Sequence, residues 1–279
     1  MYGRRAASRL KIGRMNLPID NPPIDTTGSP LPSPLASPAP LPSHLPDLVR
    51  IWVHGWTRCR GTAAPVATRG GFHVEIGRPG QPGRYVFPTA DPDVLRSLTA
   101  SITAPNLWVK VCAPRAVIAP VLPSGWEFDE PQFLMSVTLA APDGSPARRP
   151  HAPAGYTVET VNKDGDGIID CRVLHTATGD LAARGRAAVT DACTPPAVIY
   201  DMINTSAEHR RRGLGGLVMN TLSAHAAELG AAHGILVASP EGRALYRSLG
   251  WRLHAPVTAA RIPPPPGSGP GTVPPPART

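Results

Sequence analysis

The sequence predicts an α/β (α+β) fold, in which helices flank a mixed sheet and proline-rich tails lie at both ends. Three observations support this prediction. Hydrophobic residues make up 42% of the chain, which suits a globular core. Short β-type segments alternate with amphipathic helices, most clearly in the C-terminal half. The 36 prolines concentrate near the two ends, so the folded part is shorter than the whole chain of 279 residues.

Composition divides the chain into four parts. Residues 1–46 and 263–279 are rich in proline, which predicts extended, disordered tails. For residues 47–147 the sequence predicts an N-terminal α+β region of unknown role, with a helix at 91–101. This region is either a small domain of its own or a degenerate copy of the region that follows it. Its strands are predicted at 72–76, 85–87, 107–111 and 133–139.

Residues 155–262 predict a second domain with the element order β-β-β-β-α-β-α-β. Its first helix is predicted because Leu214, Leu217 and Val218 recur at steps of three and four, and Gly230 ends it. Ser239 caps the second helix, which has a proline at its first position. The strands are predicted at 156–161, 168–175, 181–190, 197–205, 234–238 and 251–260.

The segment between the strand at 197–205 and the first of these helices has the features of a phosphate-binding loop. A helix N-terminus exposes unpaired N–H groups and carries a partial positive charge. Glycines in this segment let a phosphate approach the backbone, and arginines add charge. Dinucleotide and Walker patterns do not fit, and a plain helix start with closely packed glycines is the alternative. The segment comprises Arg210, Arg211, Arg212, Gly213, Leu214, Gly215 and Gly216.

Two motifs together resemble the GNAT superfamily of N-acetyltransferases. Arg210-x-x-Gly213-x-Gly215 is similar to the acyl-CoA signature of that family, and residues 239–251 contain Leu-Tyr before a Gly-aromatic pair, like a later motif. The resemblance covers residues 155–262 and implies a GNAT-like, mostly antiparallel sheet. It also implies acetyl-CoA-dependent transfer of an acetyl group to an amine that attacks the thioester directly. A catalytically inactive acyl-CoA-binding sensor or interaction module is the alternative.

The same resemblance implies which residues bind acetyl-CoA. The backbone N–H groups of residues 211–216 would hold the pyrophosphate. Backbone groups near Ile203 and Thr205 would pair with the pantetheine arm as an added strand does. The predicted cofactor-binding residues are Ile203, Thr205, Arg210, Arg211, Arg212, Gly213, Leu214, Gly215, Gly216 and Ser239.

Tyr246 and Asp201 are the predicted catalytic residues. Tyr246 stands where many relatives carry a tyrosine that protonates the departing thiolate, although a core aromatic residue would also fit this position. Asp201 is the first candidate for the base that the amine needs, ahead of Glu159 and His175. A structural ion pair with an arginine is the alternative for Asp201.

The acceptor half of the site is less well defined by the sequence. Relatives usually place two helices between the first two strands, where this chain has only a turn at 162–167. The acceptor wall is therefore expected to come from residues 48–147. The acceptor itself is predicted to be an amine-bearing small molecule or peptide.

Other classes of partner are not expected. The net charge of +8 suits an anionic partner, but the arginines do not alternate with aromatic residues as in nucleic-acid-binding surfaces. No apolar run reaches the length of about 18 residues that predicts a membrane span. Four cysteines without a CxxC pair indicate reduced thiols in a cytoplasmic protein and no zinc. Residues 162–170 resemble the start of a calcium loop, but Val173 replaces the required glutamate, so no metal is expected.

Overall fold

The computed structural model describes residues 40–78, 80–139, 150–162 and 165–265. Most of the two proline-rich tails predicted at 1–46 and 263–279 therefore lies outside the described residues. The helices in the described ranges are α1 (Leu45–Arg60), α2 (Pro92–Ser101), α3 (Arg115–Ile118), α4 (Leu214–Glu228) and α5 (Pro240–Ser248). The strands in these ranges are β1 (Val66–Thr68), β2 (Gly71–Arg78), β3 (Gln81–Phe87), β4 (Trp108–Val111), β5 (Glu127–Phe128), β6 (Gln132–Thr138), β7 (Tyr156–Asn162), β8 (Ile168–His175), β9 (Leu181–Thr190), β10 (Ala197–Thr205), β11 (His233–Ala238) and β12 (Arg252–Arg261).

The strands form one sheet in which β12 joins two groups. On one side the order is β7-β8-β9-β10-β11-β6, and residues 252–257 of β12 pair with β6. On the other side residues 258–261 of β12 pair with β4, beyond which lie β3, β2 and β1. The pairs β10–β11 and β3–β4 are parallel, and the other pairs are antiparallel. The predicted mixed, mostly antiparallel sheet flanked by helices is confirmed.

The N-terminal strands repeat part of the topology of the C-terminal ones. The series β2-β3-α2-β4-α3 and β9-β10-α4-β11-α5 each contain an antiparallel pair, a helix, a strand parallel to the second, and a further helix. The strands that follow are exchanged, since β6 pairs with β11 and β12 pairs with β4. The strands of residues 47–147 share the sheet of residues 155–262. Whether residues 47–147 are a small domain of their own or a degenerate copy stays a prediction.

Helix α1 was not predicted from the sequence, and its start lies within the range interpreted as a tail. Pro46 lies in its first turn, where a missing N–H leaves no hydrogen bond unmade. The buried face of α1 packs in one cluster with Val86 of β3, Leu134 of β6 and Ile199 of β10. Gly55 permits this approach, because a Cβ atom there would lie 2.1 Å from the Ile199 side chain. The helix thus contacts strands from both groups of the sheet.

Helices α4 and α5 cover the opposite face of the sheet from α1. Val198 and Tyr200 of β10 pack with α4 in one core cluster, whereas Ile199 packs in the cluster that contains α1. This alternation follows from the pleat, which points successive residues to opposite faces. Asp201 therefore points to the α1 face, although it belongs to the same strand as the residues that contact α4.

Three smaller expectations concern cysteines, membranes and calcium. All four cysteines are unpaired thiols, and burial raises the pKa of both Cys112 and Cys171 to about 12. None of the helices in the described ranges combines the length and apolar character of a membrane span. Residues 163 and 164 of the calcium-like segment lie outside the described residues, and the segment is flanked by strands β7 and β8.

Candidate functional site

A groove of about 670 Å³ opens where the parallel strands β10 and β11 separate. The two strands pair through residues 197–199 and 233–235, and the ladder does not continue along the rest of β10. The pairing of β10 with β9 shifts register between Asp201 and Asn204, which marks a bulge. At this bulge Met202 has a φ of 55°, an uncommon value for a residue other than glycine. The bulge and the separation leave backbone groups of β10 available to an extended ligand.

The N-terminus of α4 forms one end of this groove. Gly213 precedes the helix with a φ of 78° and provides no side-chain cap. The first helical hydrogen bond runs from the N–H of Leu217 to the carbonyl of Gly213 over 3.0 Å. The N–H groups of residues 214–216 therefore have no acceptor inside the helix. Uncapped N–H groups with the positive end of a helix dipole form an anion-binding site.

Gly215 in the first turn of α4 lies close to both α5 and β10. A Cβ atom at this position would lie 3.0 Å from Cδ2 of Leu245 in α5 and 3.8 Å from Oγ1 of Thr205 in β10. A larger side chain would have to enter the groove or displace Leu245. The glycine thus keeps the first turn of α4 open to a ligand.

The groove brings together every predicted cofactor-binding residue except Arg212. The Nη1 atom of Arg212 instead donates to the hydroxyl of Tyr156 over 2.9 Å, and Nη2 donates to the Glu208 carbonyl over 3.2 Å. Arg212 therefore braces the loop and does not line the groove. The predicted residues that do line it are Ile203, Thr205, Arg210, Arg211, Gly213, Leu214, Gly215, Gly216 and Ser239, together with Tyr246.

Sequence reasoning missed several lining residues in α5. Gly242 and Leu245 both line the groove. Gly242 lies against the ring of Tyr246, because a Cβ atom there would lie 3.0 Å from Cε2. A glycine in the first turn of the helix that carries Tyr246 was the available sequence signal, since an exposed helix rarely benefits from a glycine there.

Tyr246 lies in the groove as a buried phenol. Its side chain packs against Trp251, with ring centroids 5.7 Å apart. Burial raises the pKa of Tyr246 to about 12, and the negative charge of Asp201 contributes to the shift. None of the described residues forms a hydrogen bond with its hydroxyl. The phenol is therefore protonated at neutral pH and has a proton to donate into the groove.

Asp201 forms an ion pair with an arginine of α1. Its Oδ1 accepts a hydrogen bond from Nη2 of Arg60 over 3.0 Å, and its Oδ2 accepts one from Nε of the same residue. Oδ1 also accepts from the N–H of Met202 over 2.9 Å. The alternative interpretation of Asp201, as a carboxylate paired with an arginine, thus describes its geometry. The charge of Asp201 nevertheless contributes to the raised pKa of Tyr246, whose side chain packs in the core cluster on the other face of the sheet.

The two weaker candidates for the base lie elsewhere. Glu159 forms an exposed ion pair with Arg172 over 3.6 Å. The ring of His175 lies beside Tyr156, and its Nδ1 is 3.0 Å from the hydroxyl of Thr178. Neither residue lines the groove, and Asp201 is not among its lining residues either. Asp201 is therefore the only one of the three whose charge acts on Tyr246.

Three cations lie on the α1 side of the sheet, and we call Arg60, Arg84 and Lys110 the cationic cluster: Arg60 is half-buried and contacts Asp201, and Arg84 and Lys110 are buried. The guanidinium carbon of Arg84 lies 4.1 Å from the ring centroid of Trp56, and that of Arg60 lies 5.7 Å from it. Burial lowers the pKa of Arg84 to about 10. Burial, followed by the charge of Arg84, lowers the pKa of Lys110 to about 7. This cluster could not be predicted from the sequence, because its members belong to α1, β3 and β4 and come together only in the fold.

Comparison with known families agrees with this geometry. Residues 95–258 match the family model described as "Probable histone acetyltransferase Rv0428c C-terminal". The match spans more than half of the chain. The chain belongs to this family, and with it to the GNAT superfamily. The family membership supports an acetyltransferase and gives no support to the alternative of an inactive acyl-CoA-binding module.

Solved structures share the fold at low sequence identity. A GCN5-related N-acetyltransferase from Kribbella flavida superposes with a TM-score of 0.54 and 17% identity, over 78% of this chain and 96% of that one. An acetyltransferase structure of the GNAT family from Novosphingobium aromaticivorans, described as putative in its name, has a TM-score of 0.49 and 18% identity, over 80% of this chain and 98% of that one. A search of curated proteins found no match. The likeness to the Kribbella structure confirms the GNAT fold.

Proposed function

We propose that the protein is an N-acetyltransferase that transfers the acetyl group of acetyl-CoA to the amine of a small molecule or peptide. The observation that carries this proposal is the groove between β10 and β11, which has an uncapped helix N-terminus at one end and the protonated phenol of Tyr246 in its wall. A phosphate-binding end and a proton donor in one groove suit a thioester attached to a nucleotide pyrophosphate.

The groove residues fit acetyl-CoA in a defined direction. The pyrophosphate would accept hydrogen bonds from the N–H groups of residues 214–216, and the exposed Arg210 and Arg211 add positive charge. The pantetheine arm would run along the open edge of β10 near Ile203 and Thr205 and pair with its free backbone groups. Ser239 is proposed to line the same arm from the start of α5.

The transfer step follows from this placement. The acceptor ammonium group first releases one proton to solvent, and the neutral nitrogen then attacks the thioester carbon, so that a nitrogen–carbon bond forms and the carbon–sulfur bond breaks. Tyr246 gives its proton to the departing sulfur, and the nitrogen loses a proton to Asp201 or to a water beside it. Burial raises the basicity of the thiolate as well as that of the phenol, so the transfer between them does not run strongly uphill. The products are the N-acetyl amine and CoA, and solvent restores both protonation states.

Asp201 and α1 form the acceptor side in this proposal. Asp201 attracts the acceptor ammonium group, which has to compete with Arg60 for the carboxylate oxygens. Helix α1, with β3 and β4, would supply the wall on the face opposite to α4, so the expectation that residues 48–147 provide this wall is kept as part of the proposal. A cytoplasmic location, inferred from the unpaired cysteines, stays a prediction.

The direct test is an assay of thiol release and of the acetylated product. The protein is incubated with acetyl-CoA and a panel of amines, which includes amino acids, amino sugars and a lysine-bearing histone-tail peptide because of the description of the family model. Acetyl-CoA binding is measured separately by calorimetry. We expect binding together with turnover of at least one amine. Binding without turnover would favour the inactive module, and absence of binding would refute the placement of acetyl-CoA.

A further inference from the structure

Arg84 is a buried cation whose hydrogen-bonding capacity is unused. Arg84 is 8% exposed, and its Nε has no hydrogen-bond partner. No described residue accepts a hydrogen bond from its other nitrogens, and no described carboxylate forms an ion pair with it. The indole of Trp56 holds the guanidinium plane in place at 4.1 Å. The side chain is thus stacked on an indole, and none of its nitrogens donates to a described residue.

Such an arrangement is costly in a folded protein. Burying a charge without a counterion or hydrogen bonds opposes folding, because the lost hydration is not replaced. A stacked indole compensates only part of this loss. Native structures retain unsatisfied buried charges mainly where a ligand satisfies them. The orphaned guanidinium therefore points to an anionic ligand group.

Lys110 adds a second buried cation next to Arg84. Its residue is 9% exposed, and its ammonium group donates to Oε1 of Gln132 over 2.7 Å. Asp129 and Asp201 partly offset its charge, whereas Arg84 and Arg60 oppose it. The carboxylate of Asp201 is already paired with Arg60. Gln132 in turn donates to Asp129 over 3.3 Å, so Arg84 is the member of the cluster that has no carboxylate of its own.

The position of the cluster connects it with the reaction. Trp56 links Arg84 to Asp201, because the guanidinium carbons of Arg84 and Arg60 lie 4.1 and 5.7 Å from its ring centroid and Arg60 is paired with Asp201. The charge of Asp201 in turn acts on Tyr246. An acceptor whose nitrogen lies between Asp201 and the thioester would direct the rest of the molecule along the α1 face, towards Arg84. An anionic group on that molecule would meet the free guanidinium.

We propose that the acceptor is a small amine that also carries a carboxylate or phosphate group, and that Arg84, assisted by Lys110, binds this group while the amine reaches the thioester near Asp201. This inference rests on the proposed acetyl-transfer function and narrows its substrate class. A basic peptide such as a histone tail would be repelled by the cluster, so it is the rival that the test has to exclude.

The kinetic test compares matched acceptors in the wild type and in Arg84→Gln. The pairs are β-alanine with β-alaninamide and 2-aminoethyl phosphate with ethanolamine, so that carboxylate and phosphate are tested separately. We expect kcat/KM for the anionic member to fall roughly 10- to 100-fold in the variant, as for loss of a charge-assisted hydrogen bond, and that for the neutral member to change less than about 3-fold. For each amine we compare the ratio of kcat/KM in the variant to kcat/KM in the wild type, because this ratio cancels differences in intrinsic reactivity between amines.

A binding test gives a readout that does not depend on turnover. Inorganic phosphate is added to the CoA-saturated protein, in which the pyrophosphate end of the groove is filled, and the Tm is followed. We expect phosphate to raise the Tm of the wild type but not that of Arg84→Gln. Arg115→Gln is the matched control, because Arg115 also lies on an aromatic ring, 4.3 Å from the centroid of Phe128, away from the groove. It should keep the wild-type response.

The outcomes separate this inference from the function on which it rests. Arg84→Gln should fold with an unchanged or higher Tm without phosphate, because it removes an unpaired buried charge. If phosphate raised the Tm only when Arg84 is present, and no amine in the panel were acetylated, the anion site would be supported and the proposed function refuted. An equal phosphate-induced change of Tm in the wild type and in Arg84→Gln would overturn the inference. So would a wild-type kcat/KM for the neutral amines, or for the histone-tail peptide, that equals or exceeds the value for the anionic amines.

Discussion

The two crossover units of the sheet have the same topology and opposite properties at their helix N-termini. In β3–α2–β4, Oδ1 of Asp91 accepts hydrogen bonds from the N–H groups of Asp93 and Val94 over 3.0 and 3.1 Å. In β10–α4–β11, Gly213 offers no side chain, and the N–H groups of the first turn stay free. A carboxylate fills one anion site, while the other is open to a ligand.

The strands that flank these helices also differ: one parallel pair stays joined along its length and the other separates. Strands β3 and β4 pair from Arg84 with Trp108 to Phe87 with Val111, which is the whole of β4. Strands β10 and β11 separate after residues 199 and 235. The N-terminal unit is thus closed along its strands and at its helix N-terminus, and it contributes the buried cations Arg84 and Lys110. Topology alone therefore does not provide a binding site, which depends on the cap and on the separation of the strands.

The largest expected effect comes from placing a carboxylate at the open helix. Gly215→Glu should weaken acetyl-CoA binding on the order of 100-fold, about 3 kcal/mol, because the new charge lies at the phosphates and its side chain enters the groove. Calorimetric titration with acetyl-CoA measures this. Asn220→Glu adds the same charge on the exposed side of α4 and should bind normally. Unchanged affinity in Gly215→Glu would refute the proposed pyrophosphate position.

A smaller effect is expected from removing the phenol of the open unit. Tyr246→Phe should lower kcat roughly 10- to 100-fold with little change in KM for acetyl-CoA, since only proton donation to the leaving sulfur is lost. Because burial raises the pKa of Tyr246 to about 12, loss of the phenol should not alter the shape of the pH–rate profile below about pH 10. Steady-state kinetics over this range measure both.

The matched control for this variant is Tyr200→Phe. Tyr200 is also buried, and its hydroxyl contacts the Ser223 hydroxyl over 2.7 Å on the α4 face, away from the groove. Its loss should reduce stability slightly and leave kcat unchanged. Wild-type turnover in Tyr246→Phe would make Tyr246 a packing residue and reduce the difference between the two units to phosphate binding.

The unit β10–α4–β11, whose helix N-terminus is open to a ligand, was easier to predict from the sequence than the closed unit β3–α2–β4. The glycines and arginines of residues 210–216 are adjacent in the chain, so the loop could be located from local pattern. The strands and both helices of residues 155–262 were likewise predicted close to their observed bounds. Contacts that join distant segments could not be predicted: α1 follows a proline-rich stretch, and the pairing of Arg60 with Asp201 depends on its packing.

The buried charge of the closed unit is tested by Lys110→Met. The pKa of Lys110 is lowered from 10.5 to about 7 in the folded protein, so the unfolded chain binds the extra proton between these values. Burial of the cation is therefore fully destabilising below about pH 7, and the effect fades as the pH rises towards 10.5. The variant should gain several degrees of Tm near pH 6 and less near pH 9.

Thermal unfolding over this pH range measures the gain, with Arg96→Met as the control. Arg96 is 60% exposed on α2, and its replacement should cause no change that depends on pH. A loss of stability in Lys110→Met, or a change that is the same at every pH, would show that Lys110 contributes to packing and is not a destabilising charge retained for a ligand.

The smallest expected effect is that of opening the closed helix. Asp91→Ala removes the cap of α2 and should lower the stability by about 1 kcal/mol, the usual value for such a cap, without altering acetyl-CoA affinity. Asp93→Ala is the control, because Asp93 lies in the same turn with a side chain that is 89% exposed and paired with Arg96 over 3.6 Å. It should cost only a few tenths of a kcal/mol. If the two variants were equally stable, the cap would not distinguish the two units. If Asp91→Ala bound a second acetyl-CoA molecule, the Asp91 cap alone would be what excludes the ligand from β3–α2–β4. The full pairing of β3 with β4 would then not be needed to exclude it.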